Sequence, residues 1–397
     1  MKQVKLINGT QRKCQEGHPW VYSTQVDRSY WSDKPDLEPI AGELAEAIDF
    51  RGRYLGTGFY NPASMIALRL LTHRREAVDA DLIRRRVREA IAWRRQGMRP
   101  DTDSYRMIFA EADRLPGAIA DLFADTLVLQ ILARGMEQWL DVLIETLIDE
   151  LHPANLILQN EEPIRLKEGL PLYRRVCLGQ DPGQVIIQEN GLRMTVDLAG
   201  QKTGYFLDQK ANHAALRPYA AGKTVLDCFC YSGGFALNAA LAGAARVTAV
   251  DQSDAAIHLA RTNAQLNGLQ DQVDWITANA FDYLRQAVAS HLTFDVVVLD
   301  PPAFAKNHAA IKSAVRGYKE INLSALRLLP PGGILATHSC SFHMSGDLLL
   351  ATVLEAARDA RRPVRIIDVR RQDFDHPVLG GYPESHYLKG IWLQVLD

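Results

Sequence analysis

The run Val296-Val297-Val298-Leu299 stops at Asp300-Pro301-Pro302, and no other feature of the sequence narrows the fold as much. Consecutive branched apolar residues between turn signals fit a strand buried in a sheet. Two prolines end it, because proline has no N–H to give a ladder and its ring fixes φ. Asp300 is thus held by a stiff turn at the carboxyl edge of a buried strand, where open α/β sheets hold their ligands. Strands at Thr224 to Asp227, Arg246 to Asp251, Val273 to Thr277, Phe294 to Asp300 and Gly333 to His338 alternate with helices at Gly234 to Leu241, Asp254 to Asn267 and Arg316 to Leu329. That order predicts an α/β fold with a mostly parallel, doubly wound, Rossmann-like sheet over residues 190–397.

Two smaller modules are expected before it. Residues 1–72 read as a β-rich domain of short strands such as Glu43 to Ile48 and Tyr54 to Phe59, broken by turn residues. Within it, His18 and Trp20 belong to Gly17-His18-Pro19-Trp20-Val21-Tyr22, which by itself reads as core packing. Residues 73–189 order as strand, helix and strand (Thr126 to Ile131, Met136 to Leu151, Asn155 to Leu158), a central α+β domain. Glu111 and Asp113, beside the Leu115-Pro116-Gly117 turn, read as turn and surface residues. Between Asp79 and Arg95 the residues Leu82, Ile83, Val87, Ala90 and Ile91 recur at helical spacing. Arg84, Arg85, Arg86, Arg88, Arg94 and Arg95 are read as the other face of that helix, either solvated or touching RNA phosphates.

Forty-five Lys and Arg against 47 Asp and Glu leave a net charge of -2, so any basic surface is local rather than global. No stretch reaches the ~18 apolar residues of a membrane span. Met1 to Cys14 lacks the apolar core of a secretory signal. Five scattered cysteines do not make a disulfide framework in so long a chain, and a reduced, cytoplasmic enzyme without a membrane partner is expected.

The chemistry gathers at the strand ends. Asp227 closes the first strand and leads through Cys228-Phe229-Cys230-Tyr231-Ser232-Gly233-Gly234 into a helix, a turn across which a nucleotide-like ligand could lie. Asp251, twenty-four residues on, closes the second strand, where an acid suits both hydroxyls of a ribose. A nicotinamide-dependent dehydrogenase would share that acid but expects Gly-x-Gly-x-x-Gly, which this turn does not spell. Cys340, in Ser339-Cys340-Ser341 just past the fifth strand, would face the same crevice as Asp300 and suits a nucleophile. A Cys/His hydrolase using His338 or His343 would leave Asp227, Asp251 and the Asp-Pro-Pro turn unexplained. Cys228 and Cys230 have no further ligand at zinc spacing, so they read as packing and no metal is expected.

Asp227 to Phe235, Asp300-Pro301-Pro302-Ala303-Phe304 and Ser339-Cys340-Ser341 together resemble three motifs of the S-adenosylmethionine-dependent methyltransferases. More narrowly, the chain resembles the bacterial 23S rRNA cytosine-C5 methyltransferases of the RlmI type over nearly its whole length. Gly17 to Tyr22 is similar to that family's PUA domain, an RNA-binding module, and Glu111-Ala112-Asp113 to its central domain. Lys202 to Gln209, Arg316-Gly317-Tyr318-Lys319, Tyr382-Pro383-Glu384 and Tyr387 to Gly390 match further family segments.

The resemblance implies an S-adenosyl-L-methionine site with Asp227, Phe229, Tyr231, Ser232, Gly233 and Gly234 at the methionine end. Asp251 and Ser253 would stand at the ribose, Asn279 and Ala280 at the adenine edge, and Asp300 and Pro301 beside them. Phe206, Asp208 and Gln209 would close over the site. The family usually has Asp where this chain has Asn279, whose amide oxygen can also accept from the adenine amino group. His18, Trp20, Arg84, Arg85, Arg88, Arg316 and Lys319 are the expected RNA contacts, with 23S rRNA, free or in an assembling subunit, as partner. A homodimer is one assembly to expect.

Cytosine C5 is a poor nucleophile, so the implied chemistry has Cys340 add at C6 while Asp300 hydrogen-bonds the N3 and N4 edge. The target base must first leave its stack. Methylation of a guanine nitrogen would need no thiol, and a non-catalytic ribosome-assembly factor would need neither the thiol nor the strand-end acids.

Overall fold

The computed structural model describes residues 1–200, 203–305 and 308–397, with His308 described by its backbone alone. Lys202, one residue of the family resemblance, lies outside the described residues. The chain divides into two units. Met1–Val185, Val196–Tyr205 and Phe374–Ser385 form the first; Ile186–Thr195, Phe206–Asp373 and His386–Asp397 form the second.

The first unit holds two five-stranded sheets. In the N-terminal one, Lys2–Lys5 pairs parallel to Leu44–Ile48, and Tyr54–Tyr60, Ile66–Thr72 and Trp20–Tyr22 follow antiparallel. The alternating apolar residues Val4, Ala45, Ala47, Leu68 and Leu70 fill its core. The other sheet runs Tyr173–Leu178, Asn155–Asn160, Thr126–Ile131, Ala118–Phe123, Tyr105–Phe109. Its one parallel pair, Thr126–Ile131 with Asn155–Asn160, is joined through the helix Leu140–Leu151, the β-α-β order expected from sequence.

Asp79 caps the helix Ala80–Gly97 by accepting from the Leu82 N–H at 2.9 Å. This helix corrects the sequence reading of its arginines. Arg86 and Arg94 are buried with Ile83, Val87, Ala90 and Ile91, so they lie on the core stripe rather than opposite it. Arg94 makes a two-pronged ion pair with Asp113 at 2.6 and 2.7 Å and donates to the carbonyl of Arg106. Glu111 and Asp113 are likewise not surface residues. Glu111 accepts from Arg69 at 2.7 Å and from the Trp20 indole at 2.8 Å.

The second unit is built on a seven-stranded sheet, whose strands we number within it. They are β1 (Thr224–Cys228), β2 (Arg246–Asp251), β3 (Val273–Thr277), β4 (Val296–Leu299), β5 (Ile334–Ser339), β6 (Val364–Arg371) and β7 (Lys389–Val395). Their spatial order is β3-β2-β1-β4-β5-β7-β6. Strands β1 to β5 are parallel, as expected, while β7 runs antiparallel beside β5 and β6 antiparallel beside β7. Order reverses at β1, so the crevice at the carboxyl ends of β1, β2 and β4 is the topological switch point. Helices Gly234–Leu241, Asp254–Leu266 and Ile311–Leu328 fall close to where they are predicted, and Lys210–Ala220, Ala280–Ala289 and Gly346–Asp359 add to them.

Candidate active site

Register brings the acids together. Val250 of β2 and Leu299 of β4 both lie opposite Cys228 of β1, so Asp251 and Asp300 follow on either side of the strand that carries Asp227. Asp227 is fully buried; its Oδ2 accepts from the Ala236 N–H at 3.0 Å. Its Oδ1 has no hydrogen-bond partner among the described residues. Burial first, then the charges of Asp300 and Asp251, hold the Asp227 carboxyl well above the usual carboxylate range. Like charges a few ångströms apart oppose each other's ionisation, and a cation set among them relieves that opposition.

The turn after β1 is shaped by backbone conformations that side chains rarely adopt. Phe229 and Tyr231 stand at φ of +67° and +46°, and Gly233 at +91°. A Cβ on Gly233 would come within 2.8 Å of the Trp275 ring, and one on Gly234 within 2.3 Å of the His213 ring. Only glycine leaves that space free. Asp251 braces the turn, its Oδ2 accepting from the Tyr231 N–H at 3.1 Å and its Oδ1 from the Ser253 N–H at 2.9 Å. Ser253 caps Asp254–Leu266, while the buried Ser232 offers its carbonyl to Asn263 at 3.1 Å. A positively charged adenosine cofactor fits this arrangement: Asp227 keeps an unused buried oxygen, and the glycine turn leaves a cradle that a Cβ would fill.

Asn279 caps Ala280–Ala289, its Oδ1 accepting from the Phe281 N–H at 2.9 Å. The oxygen expected to meet an adenine amino group therefore already holds a backbone N–H. The sequence reading placed Phe229 at the cofactor but not the ring triangle it forms with Phe281 and Phe304, whose centroids are 5.7 to 6.5 Å apart. An aromatic spacing around the two loops was the available signal. Phe206 lies edge-on to Tyr231 at 5.1 Å, bringing it to the cofactor turn. Asp208 and Gln209 are buried; Asp208 accepts from the Tyr387 hydroxyl, and Gln209 accepts from Asn212 at 2.6 Å.

Cys340 follows β5, and its thiol points to the Pro301 carbonyl at 3.9 Å. The thiol thus stands beside the turn that carries Asp300. Ser339 and Ser341 are held by the buried Tyr318 hydroxyl, at 2.8 and 3.2 Å. Lys389 of β7, paired in register with Ser339, donates from Nζ to the Ser341 carbonyl at 3.0 Å. Burial pushes its ammonium down to about 8, against the opposing pull of a Cys340 negative charge. Lys389 was visible in sequence only as part of a matched segment. His338 does not serve as a base for Cys340: it is fully buried, burial pushes it down to about 3, and its Nε2 takes the Trp392 indole at 3.2 Å.

The proposed RNA contacts separate. His18 is buried, 3.1 Å from Glu384, and Trp20 gives its indole N–H to Glu111, so both are held in the first unit's packing. Arg84, Arg85 and Arg88 face solvent more openly, yet each meets a carboxylate, Asp81 at 3.2 Å, Glu76 at 3.0 Å and Glu150 at 2.9 Å. Lys319 is bracketed by Glu355 at 2.6 Å and Asp359 at 2.8 Å. Arg316 is exposed on Ile311–Leu328, with no ion pair among the described residues. The basic cluster read from sequence is therefore largely paired with acids, some close in the chain (Asp81, Glu76) and one far from it (Glu150).

Residues 177–372 match the model of an S-adenosylmethionine-dependent methyltransferase family, and residues 4–73 that of a PUA-like domain. The chain is 42% identical over 397 residues to the ribosomal RNA large subunit methyltransferase I of Shewanella denitrificans, covering 99% of each. It is 39% identical to the protein of the same name from Klebsiella pneumoniae, covering 98% of each. A solved Streptococcus mutans structure assigned to the SAM-dependent methyltransferases superposes with a TM-score of 0.83 over the whole of both chains at 21% identity, a likeness of fold.

Proposed function

The chain belongs to the ribosomal RNA large subunit methyltransferase I family of S-adenosylmethionine-dependent enzymes, and on that footing we propose that it methylates C5 of a cytidine in 23S rRNA through a Cys340 adduct. Methylation of ribosomal RNA follows from the family. The cytosine and the adduct rest on one observation, a thiol beside the carbonyl of Pro301, on the turn that begins with Asp300.

When bound, S-adenosylmethionine supplies a methyl group on a positively charged sulfur. Asp227 and the 229–234 turn would hold its amino-acid end, and Asp251 its ribose. Cys340 Sγ gives an electron pair to C6 of the target ring, and the C5–C6 π bond opens. Asp300 meets the N3 and N4 edge: one oxygen accepts from the amino group, and the proton given up by the Cys340 thiol is shared between the other oxygen and N3, compensating the arriving charge. C5 is then enamine-like and able to take a methyl group. A base takes the C5 proton, the C–H pair re-forms the C5–C6 double bond, and the C6–S bond breaks to release Cys340 as the thiolate. The buried surroundings of Ser339, Ser341 and Tyr318 keep that thiol in place between steps.

Transfer of labelled methyl from S-adenosylmethionine to protein-free 23S rRNA, with the product nucleoside identified by mass, tests the reading. Label in 5-methylcytidine that disappears in Cys340→Ala, with cofactor binding kept within a few-fold, is the expected result. Label in a methylguanosine that survives the substitution would overturn the mechanism.

A further inference from the structure

A cavity of about 530 Å³ opens in the first unit, lined among others by Leu70, Arg74, Arg85, Arg86, Arg114 and Gly380. Arg86 is the unusual member. It is only 2% exposed, and one guanidinium N–H reaches the Arg114 carbonyl at 2.7 Å. Glu76 forms a long ion pair with it at 3.9 Å, beyond hydrogen-bond reach, and its buried Nε finds no acceptor among the described residues. Burial, with the neighbouring Arg114 charge, pushes the guanidinium down to about 10.

The acids around the cavity are already engaged. Glu76 accepts from Thr72 at 2.5 Å and from Arg85 at 3.0 Å. Glu89 accepts from Arg114, and Glu111 from Arg69 and Trp20. Arg74 is exposed and has no ion pair among the described residues. A buried guanidinium N–H without an acceptor costs stability until one meets it, and the long Glu76 pair does not supply that hydrogen bond. The planar guanidinium fork suits two oxygens of a phosphate.

We propose that this cavity, centred on Arg86, is a phosphate-binding site that takes a backbone phosphate of the RNA substrate. The RNA source rests on the ribosomal RNA reading above; the phosphate chemistry does not.

Gly380 offers the clean perturbation, because a Cβ there meets nothing within 4 Å and its backbone does not need glycine. Isothermal titration of inorganic phosphate into the full chain reads the site, and filter binding of protein-free 23S rRNA across a salt series reads the source. Gly380→Glu should abolish the phosphate heat and weaken rRNA binding at least about tenfold, lowering the salt slope by about 1. Gly380→Gln should stay within about threefold of wild type, because it adds bulk without charge. Arg74→Gln, on the exposed rim, should weaken both probes in the same direction. An unchanged thermal melt of the full chain reports that the variants fold, since S-adenosylhomocysteine binding reads only the second unit. No phosphate heat in wild type overturns the site. Phosphate binding lost in Gly380→Glu with rRNA affinity unmoved overturns the RNA source and leaves a free phosphate compound as occupant. Absence of methyl transfer to rRNA, with phosphate still bound, would instead be a failure of the proposed activity.

Discussion

Replacing Lys389 by Met should stabilise the protein and impair it at once. The ammonium is buried beside the Cys340 segment, and its pKa falls from 10.5 to about 8. A tenfold loss of proton affinity is worth about 1.36 kcal/mol, so holding that charge inside the fold costs about 3 kcal/mol near neutrality. The folded value lies below the unfolded one, so between them the unfolded chain binds more protons and stability rises with pH. Wild type should therefore gain on Lys389→Met as pH climbs from about 8 toward 10.5. The variant's advantage should be about 3 kcal/mol at pH 7.5 and about half that at pH 9.5. For a unit of this size each kcal/mol moves the melting temperature by about 2–4 °C. Differential scanning calorimetry of both proteins at the two pH values measures the double difference, in which other titrating groups cancel. Methyl transfer should fall in the variant, because the charge opposite an ionised Cys340 is gone. A melting difference equal at the two pH values, or a less stable variant at pH 7.5, would refute the reasoning.

Asp227→Asn should weaken S-adenosylhomocysteine binding at least about tenfold, by loss of a buried acceptor with an unused oxygen, measured by calorimetric titration. Because the folded Asp227 carboxyl lies above its unfolded value, its stabilisation is present at low pH and lost as pH rises through the folded value. The Asn variant should therefore melt higher than wild type at neutral pH and show no such advantage in acid. Gly234→Ala drives a Cβ toward the His213 ring, which is fixed by Glu189 at 2.7 Å, and should cost about 1–3 kcal/mol in urea unfolding. Arg94→Met breaks a buried pair and should cost about 3–5 kcal/mol, whereas Arg95→Met, next along the helix and exposed, should cost less than about 1 kcal/mol by the same assay.

Strands β1 to β5 were legible because each is a short run rich in branched or aromatic residues between turn signals, and β1, β2 and β4 each deliver an acid at the carboxyl end. The two antiparallel strands were not. Val364–Arg371 carries three arginines and an aspartate at the sheet edge, where pairing rather than composition makes the strand. The acids and thiol of the site were found because strand ends announce themselves in sequence. Lys389 was not assigned a role, since its burial follows from pairing with Ser339 fifty residues earlier. Arg86 and Arg94 did carry a signal: they lie three positions after Ile83 and four after Ala90, in phase with the apolar stripe. Sorting by polarity put them on the wrong face. Conversely, the carboxylates that neutralise Arg88 and Lys319 sit 62 and 36 residues away, and local charge counting does not reach them.

The chain leaves the first unit at Val185 and supplies its last piece, Phe374–Ser385, only after most of the second unit has been spelled out. That piece carries the Asp375 carbonyl that Arg94 uses, at 2.9 Å, and the Glu384 carboxylate beside His18. On a ribosome adding about 5–20 residues per second, the N-terminal half would wait about 10–40 s for those partners. During that interval a buried arginine and a buried histidine lack acceptors they have in the finished protein. Synthesis order thus leaves the segment made first waiting on one of the segments made last, and a chain cut short before residue 374 would lack the Asp375 and Glu384 partners of the first unit as well as the Lys389–Val395 strand of the second.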